Sequence, residues 1–383
     1  MRGLLRVGSA IGVVIAAMTW WTFREPDVSQ LSIESIPDLA RELEALRQRA
    51  RIPGMSAAIA QDGRVIWAHG FGMANIERDV VATSDTIYPL SSLTKTFTST
   101  VLLQLVDEGR LELDAPISAF GITLERTQPV QVWHLLSHTS DEPPGTKYRY
   151  DGGAFASLTQ VIELVTGRPF AAELTDRIIR PLGLTRTAPY PGDLRAFWSV
   201  VSSLTLAPGA IEEQRAVFAK AGLDRAPIEA GLAQGYARAW GRSIWPSGLF
   251  GPMRPMPHGI TLSATAGLVS SASDVARFSI ALDEGRLLKN ETLARAWTPL
   301  PAPGGGSLPY ALGWFVQQYT GTPLVWHYGH FLENSALIVK VPDRRATFVI
   351  LANSDGLSRW HSLGDNADVL ASPAAALFLK WLL

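Results

Sequence analysis

Hydrophobic and polar positions follow two different periods along this chain. Near its start, apolar residues recur at helical spacing over residues 37–51, with Leu39, Leu43 and Leu46 on one stripe. Two strand-like runs follow at 55–61 and 65–70. The Asp62-Gly63 pair between these runs is a strong hairpin signal. The N-terminal pattern therefore predicts a helix followed by a β-hairpin.

The middle of the chain returns to the helical period, and the C-terminal part returns to strands. Helices are predicted at 130–137, 153–166, 170–179 and 273–298. Strands are predicted at 323–328, 335–341 and 347–353, followed by an apolar helix over 366–383. This order predicts an α+β fold, in which an antiparallel sheet is flanked by N- and C-terminal helices and a mainly helical lobe is inserted. We expect the sheet lobe at about 37–80 and 310–383, and the helical lobe at about 81–309.

One predicted helix, which follows Pro89 and ends at Gly109, has an unusual composition. Small hydroxyl residues fill the positions between its apolar residues in the first half, where long charged side chains are absent. This helix is therefore predicted to be buried on most sides. It carries Ser92 and Lys95, whose spacing of three residues puts them on one face. If that face lines a cleft, the lysine can take the proton of the serine hydroxyl and make it a nucleophile.

The first 24 residues predict a membrane segment. Arg2 and Arg6 precede an uncharged run at 7–23, which ends near the interface-type pair Trp20-Trp21. No clean cleavage site follows, so an uncleaved anchor is favoured over a cleaved signal peptide. With the arginines inside, the rest of the chain lies outside the cytoplasm, in the periplasm or exported. Residues 25–36 are predicted to be a linker to a domain at 37–383.

Composition narrows the classes of function. Hydrophobic residues make up 47% of the 383 residues and charged residues 18%, which predicts a well-packed core. The net charge is −1 and no long basic run is present, so nucleic-acid binding has no electrostatic support. The chain has no cysteine, which excludes disulfides, cysteine nucleophiles and thiolate metal sites.

Histidine and glycine patterns give no cofactor or metal site. His134 and His138 have the i,i+4 spacing of metal ligands, but no glutamate stands beside them in a His-Glu-x-x-His pattern. A structural role near a cleft wall is favoured for both. The glycines at 304–306 lack the preceding strand and the following Lys-Ser/Thr of a phosphate loop.

Three short patterns occur in an order that resembles a known superfamily. Ser92-x-x-Lys95 is followed by Tyr150 in a turn before a helix, and then by His327-Tyr328-Gly329 at the end of a strand. This order resembles the serine β-lactamase and penicillin-binding-protein superfamily. The flanking stretches 105–111, 135–140, 266–274 and 310–314 are similar to its class C β-lactamase branch. That branch also contains esterases, D-amino-acid peptidases and DD-carboxypeptidase-like proteins, and the resemblance covers about residues 40–355.

The resemblance implies a role for each matching residue. Ser92 would be the acylated nucleophile, Lys95 its activating partner and Tyr150 the general base or proton shuttle. The backbone N–H groups of Ser92 and His330 would form the oxyanion hole beside Gly329. His327 would be a substrate-binding residue, at a place where the family often has a lysine and where histidine is also found. The substrate would be a small ester, amide or peptide, and no cofactor or metal would be needed.

The chain departs from the family pattern at three places. The usual Tyr-x-Asn is Tyr150-Asp151-Gly152, Asp141 replaces a glycine, and Tyr328 replaces a small hydroxyl residue. The first and third changes weaken recognition of a β-lactam or a peptide carboxylate. An esterase-like or amidase activity is therefore favoured over true β-lactamase activity.

Two alternatives remain open. One is a peptidoglycan-directed DD-carboxypeptidase, D-amino-acid peptidase or penicillin-binding protein. The other is a catalytically silent relative that serves as a membrane-tethered binding module. The stretch at 188–260 is interpreted as a lid or as an insertion that lines the substrate pocket, and a variable surface elaboration is the alternative.

Overall fold

The computed structural model describes residues 28–141, 143–190, 192, 225–240, 243–244, 253–358 and 363–383. The predicted membrane segment at 1–24 lies outside these residues, as does much of the predicted insertion at 188–260. Among the described residues, no helix has both the length and the apolar character that a membrane crossing requires. The anchor and the location outside the cytoplasm therefore stay predictions.

The described part of the chain contains the following helices and strands, numbered in chain order. The helices are α1 Ile36–Ala50, α2 Thr94–Asp107, α3 Val132–Leu136, α4 Gly152–Ala156, α5 Leu158–Thr166, α6 Phe170–Leu174, α7 Arg225–Gly231, α8 Ala272–Asp283, α9 Asn290–Ala296, α10 Leu363–Asn366 and α11 Pro373–Leu382. The strands are β1 Gly54–Gln61, β2 Arg64–Asn75, β3 Val80–Val81, β4 Tyr88–Pro89, β5 Ala188–Pro189, β6 Gly235–Trp240, β7 Ser243–Ile244, β8 Met253–Met256, β9 Leu268–Ser270, β10 Phe315–Tyr319, β11 Thr322–Phe331, β12 Asn334–Val341 and β13 Ala346–Ala352.

The main sheet joins the two ends of the chain. Its described strands run in the order β10-β11-β12-β13-β1-β2-β3, and neighbouring strands are antiparallel. Strand β1 pairs with β13, so that Met55 lies opposite Ala352. Asp62 and Gly63 form the predicted hairpin turn between β1 and β2, with φ angles of 50° and 75°. The predicted α+β fold with an antiparallel sheet is confirmed.

Helices cover the two faces of this sheet. α1 and α11 pack against each other on one face, where the apolar stripe of α1 is buried beneath them. On the other face, α8 lies against β1, β2 and β13. Phe278 of α8 stacks on Phe97 of α2, with ring centroids 3.8 Å apart. This stack joins the sheet side of the core to the helix that follows Ser92.

Several predicted helices are interrupted. The predicted helix at 153–166 is divided at Ser157 into α4 and α5. The one at 170–179 becomes α6 and a π-helical turn, Thr175–Ile179. The one at 273–298 is divided into α8 and α9 around Gly285, whose φ of 67° a helix does not accept. Period alone does not reveal such breaks, because the apolar stripe continues across them.

The described part of the predicted linker at 25–36 belongs to the folded domain. Ile33 is only 6% exposed and lies in the core beneath α1 and α11. Ser35 caps α1, because its Oγ accepts a hydrogen bond from the backbone N–H of Asp38. Folded structure therefore begins before residue 37, where the sequence predicted the domain boundary.

Replacing Leu43 tests the packing of α1. Leu43 is fully buried, so Leu43→Ala is expected to lower the free energy of unfolding by about 2–5 kcal/mol. The measurement is urea unfolding of the purified protein. Arg49→Ala, on the exposed side of the same helix, is the control and is expected to change stability by less than about 0.5 kcal/mol. Equal effects of the two changes would contradict the assigned packing.

Candidate active site

Ser92 lies in a tight 3-10 turn, Ser91–Leu93, that leads directly into α2. Two elements hold this turn. The Asn334 side chain donates to the carbonyl of Pro89 at 2.9 Å and hydrogen-bonds the Ser91 hydroxyl. From β11, Gly329 approaches so closely that a Cβ there would lie 1.9 Å from the carbonyl oxygen of Leu90. Only glycine permits this contact, which seats the end of β11 against the turn that carries Ser92.

Lys95 is one turn further along and is completely buried. Its Nζ lies 3.0 Å from the Ser92 Oγ and donates to the backbone carbonyl of Thr265 at 3.3 Å. The same nitrogen stands 4.8 Å from the ring centre of Tyr150 and 5.4 Å from that of Phe155. Burial lowers the pKa of Lys95 from 10.5 to about 7. Near neutral pH the amine therefore exists partly in its neutral, basic form.

Tyr150 brings a third polar group to this place. Burial raises the pKa of Tyr150 well above its ordinary value, the nearby hydroxyls of Tyr328 and Tyr310 raise it further, and the adjacent Ser92 hydroxyl lowers it. Among the described residues, no group is aligned for a full hydrogen bond with the Tyr150 hydroxyl. The phenol therefore stays protonated beside Ser92 and can pass a proton on as it receives one.

His138 hydrogen-bonds the residues on either side of Tyr150 in the chain and so fixes its position. Its backbone carbonyl accepts from the N–H of Arg149 at 2.9 Å, and its Nδ1 accepts from the N–H of Asp151 at 3.0 Å. Its ring also packs on that of Tyr150, with centroids 4.3 Å apart. Burial lowers the pKa of His138 well below its ordinary value, and Lys95 lowers it further. The ring is therefore neutral and serves as a hydrogen-bond acceptor at Nδ1.

The sequence suggested only a structural role for His138 near a cleft wall. It did not reveal the hydrogen bonds from His138 to the Tyr150 loop. In the sequence, the only hint of this role was the His138-Thr139-Ser140 stretch. The φ of 54° at His138, which is unusual outside glycine, becomes known only from the structure. His134 likewise uses its Nδ1 to accept a backbone N–H, from Gln131 at 2.9 Å. In both rings, Nδ1 is thus committed to the protein backbone.

His327 lies in a buried contact and not on an open cleft surface. Its Nδ1 donates to the Tyr328 carbonyl at 2.7 Å, because a carbonyl only accepts. Its Nε2 then accepts from the Tyr310 hydroxyl at 2.9 Å. Burial, followed by Lys95, lowers the pKa of His327 well below its ordinary value. This residue is neutral with both ring nitrogens occupied, so it cannot supply the cation that a lysine would offer to a substrate carboxylate.

His330 follows Gly329 in β11 and its side chain is exposed. It pairs in register with Ser335 of β12. The contact of Gly329 with the Ser92 turn brings this end of the strand close to Ser92. The assignment of the Ser92 and His330 N–H groups to an oxyanion hole stays a prediction.

The unusual acidic residues of the Tyr150 loop have local structural roles. Asp141 pairs with Arg149 and, at 3.1 Å, with Arg126, which ties the loop to its neighbours. Asp151 caps α4 by accepting from the N–H of Ala154 at 2.9 Å. The departure at Asp141 and the capping residue Asp151 therefore both help to position Tyr150.

A scan of family models agrees with this geometry. The Beta-lactamase family model matches residues 39–371. Penicillin-binding protein 4 of Amycolatopsis lactamdurans is 28% identical over 197 residues, which are 42% of this chain and 51% of that protein. The D-aminopeptidase of Gluconobacter oxydans is 25% identical over 349 residues, covering 82% of this chain and 58% of that protein. The chain thus spans about half to three-fifths of the length of these two relatives.

Solved structures show the same fold. The octameric penicillin-binding protein homologue from Pyrococcus abyssi superimposes with a TM-score of 0.68 at 24% identity, covering 84% of this chain and 74% of that one. The D-amino acid amidase from Ochrobactrum anthropi SV3 gives a TM-score of 0.63 at 19% identity, covering 90% and 98%. Since the family model spans most of the sequence, this chain belongs to the Beta-lactamase family.

Proposed function

We propose that this protein is a serine hydrolase that cleaves an amide bond in a small amino-acid amide or peptide through an acyl-enzyme at Ser92. The observation that carries the proposal is the fully buried Lys95 amine, 3.0 Å from the Ser92 Oγ. Burial lowers the pKa of Lys95 to about 7, which matches the pKa that efficient general bases have near neutral pH.

In the first half of the reaction, Ser92 Oγ attacks the carbonyl carbon of the substrate. The hydroxyl proton passes to the neutral Lys95 amine as the new C–O bond forms. The carbonyl oxygen becomes an oxyanion, which the N–H groups of Ser92 and His330 would stabilise in this proposal. The preceding glycine lets β11 approach closely enough for such a role.

In the second half, the C–N bond breaks and the leaving amine takes a proton. Tyr150 suits this delivery, because its phenol stays protonated beside Ser92. In the proposed step, it gives one proton to the leaving amine and the Lys95 ammonium supplies the replacement. Water then attacks the acyl-enzyme carbon, and its proton returns to Ser92 through the same groups. The acid product is released and the starting state of Lys95 is restored.

The choice of amides over esters rests on the relatives. Several matched proteins are named D-aminopeptidase or D-amino acid amidase, and others are penicillin-binding proteins. These names support an amide or peptide substrate, with D-amino-acid residues as the first to try. The preference for ester hydrolysis drawn from the sequence stays a prediction, since acyl transfer at Ser92 serves both bonds.

The test of this function is turnover of D-phenylalaninamide, with the released acid measured by chromatography. Ser92→Ala is expected to lower kcat by about 10⁴-fold or more, because the covalent step is lost. Ser118→Ala, an exposed serine outside the site, is the control and is expected to retain full activity.

Other outcomes lead to other conclusions. Covalent labelling of Ser92 by a fluorescent penicillin without amide turnover would favour a penicillin-binding role. Turnover of p-nitrophenyl esters alone would favour the esterase. If ester, amide and β-lactam probes all leave Ser92 unmodified by intact-protein mass spectrometry, the enzymatic proposal is wrong and the silent binding relative is favoured.

The reactivity of Ser92 is expected to rise with pH around neutrality. Burial depresses the Lys95 pKa to about 7, so the ammonium predominates below that pH and the basic amine above it. Labelling of Ser92 by a fluorophosphonate, measured between pH 5 and 9, should therefore increase with a midpoint of about 7. Labelling that shows no midpoint in this range would contradict the assigned role, as expected if Lys95 kept the ordinary lysine pKa of 10.5.

If the hydrogen bonds of His138 position Tyr150, two substitutions at His138 should lower activity to different extents. His138→Ala removes the acceptor for the Asp151 N–H, and a shift of Tyr150 by about 1 Å is expected to lower kcat by up to about 10²-fold. His138→Asn supplies a side-chain oxygen in place of Nδ1 and tolerates a positive φ, so it should recover most of kcat. KM should change little in either variant. Equal losses in the two would contradict a positioning role.

A further inference from the structure

Glu333 is a buried carboxylate that the mechanism above does not use. It lies in the turn between β11 and β12 and is only 1% exposed. Neither of its oxygens has a hydrogen-bond donor among the described residues. A buried carboxylate without donors or a close cation is costly, because desolvation is not compensated. Such a group points to a partner that carries several N–H or O–H donors.

His258 is the nearest cation-forming side chain, and it does not complete the pairing. Its Nε2 lies 2.8 Å from the carbonyl oxygen of Ala233, so this nitrogen carries the hydrogen of that bond. Its Nδ1 is 3.7 Å from the Glu333 Oε1, beyond hydrogen-bonding distance, and has no partner among the described residues. With a hydrogen on Nε2 alone, Nδ1 and the two Glu333 oxygens are all acceptors. A donor placed between them can satisfy both side chains.

A small cavity lies where such a donor is needed. Glu333 and His258 line it together with Pro89, Ser91 and Gly267. Its volume of ≈ 10 Å³ is about that required by one water-sized group. β6 holds the two polar side chains in place, because a Cβ at Gly235 would lie 2.7 Å from Glu333 and 3.0 Å from His258.

The cavity borders the nucleophile along two segments of the chain. Ser91 immediately precedes Ser92 in the 3-10 turn. Gly267 lies two residues after Thr265, whose carbonyl accepts from Lys95. The cavity therefore adjoins the two chain segments that carry Ser92 and the carbonyl partner of Lys95.

We propose that Glu333 and His258 form a subsite for a primary ammonium group on the acyl part of the substrate. An ammonium group has about the size of a water molecule and carries three donors, enough for both carboxylate oxygens and His258 Nδ1. This inference rests on the proposed acyl-enzyme at Ser92 and names what its substrate must carry. The ammonium can belong to the α-amino group or to a basic side chain.

The test measures binding to the full chain carrying Ser92→Ala, which prevents turnover. Three ligands are compared by titration calorimetry. D-Phenylalaninamide has an α-ammonium, N-acetyl-D-lysinamide has a side-chain ammonium, and N-acetyl-D-phenylalaninamide has neither. One of the first two is expected to bind at least about tenfold more tightly than the third, as charge-assisted hydrogen bonds imply. Which of them does so identifies the source of the ammonium.

Adding Glu333→Gln should remove this preference, because it keeps the shape of the side chain and removes its charge. The preferred ligand should weaken at least about tenfold, while the neutral ligand should change less than about twofold. Glu333→Asp, which keeps the charge, should retain part of the preference. Glu112→Gln, at an exposed position, is the matched control and should change neither affinity.

Failure of the subsite and failure of the proposed function give different results. Equal affinity for ligands with and without an ammonium, no binding of any ligand, or an unchanged preference in Glu333→Gln would overturn the subsite. Glu333 and His258 would then be a closed internal pair. If the wild-type protein shows the ammonium preference in binding but no Ser92-dependent hydrolysis, the subsite stands and the proposed function is wrong.

Discussion

The removal of the Lys95 amine from water is the constraint on which the rest of the site depends. α2 can carry a lysine in its first turn only because its neighbours are small hydroxyl residues and the surrounding core is closed. The aromatic rings of Tyr150 and Phe155 complete the enclosure. Desolvation disfavours the charged form and so produces a base near neutral pH. The same desolvation makes the burial of the charged amine energetically costly and lowers its pKa to the range that the proposed reaction needs.

A buried base is useful only if its partners are held at fixed distances, and this chain uses short local contacts to achieve that. The Ser92 turn is held by Asn334 and by the close approach of Gly329. The Tyr150 loop is held by His138 and by the Asp141–Arg149 pair. Asp141, which departs from the family pattern, thus contributes to positioning, because its ion pair with Arg149 ties the loop that carries Tyr150.

The residues around Ser92 decide which charged group on a substrate the site can bind. His327 is neutral and has both ring nitrogens occupied, so this strand provides no side-chain cation for a substrate carboxylate. The carboxylate of Glu333 lines a cavity that Ser91, in the same turn as Ser92, also lines. In the proposed arrangement, recognition has moved from an anion on the substrate to a cation. A free amino group fits this change, since it is small and rich in donors.

The sequence by itself predicted the fold class and the order of the main helices and strands, because hydrophobic period is a local property of the chain. It also gave Ser92, Lys95 and Tyr150 as candidate site residues, through the order of motifs that resembles a known family. Helix breaks within 153–179 escaped it, since a continuous apolar stripe does not mark them. Only the tertiary structure decided the distance between Lys95 and Ser92, the hydrogen bonds of His138 to the Tyr150 loop and the meeting of Glu333 with His258. The energies of these features arise from desolvation and contact that appear only when the chain has folded.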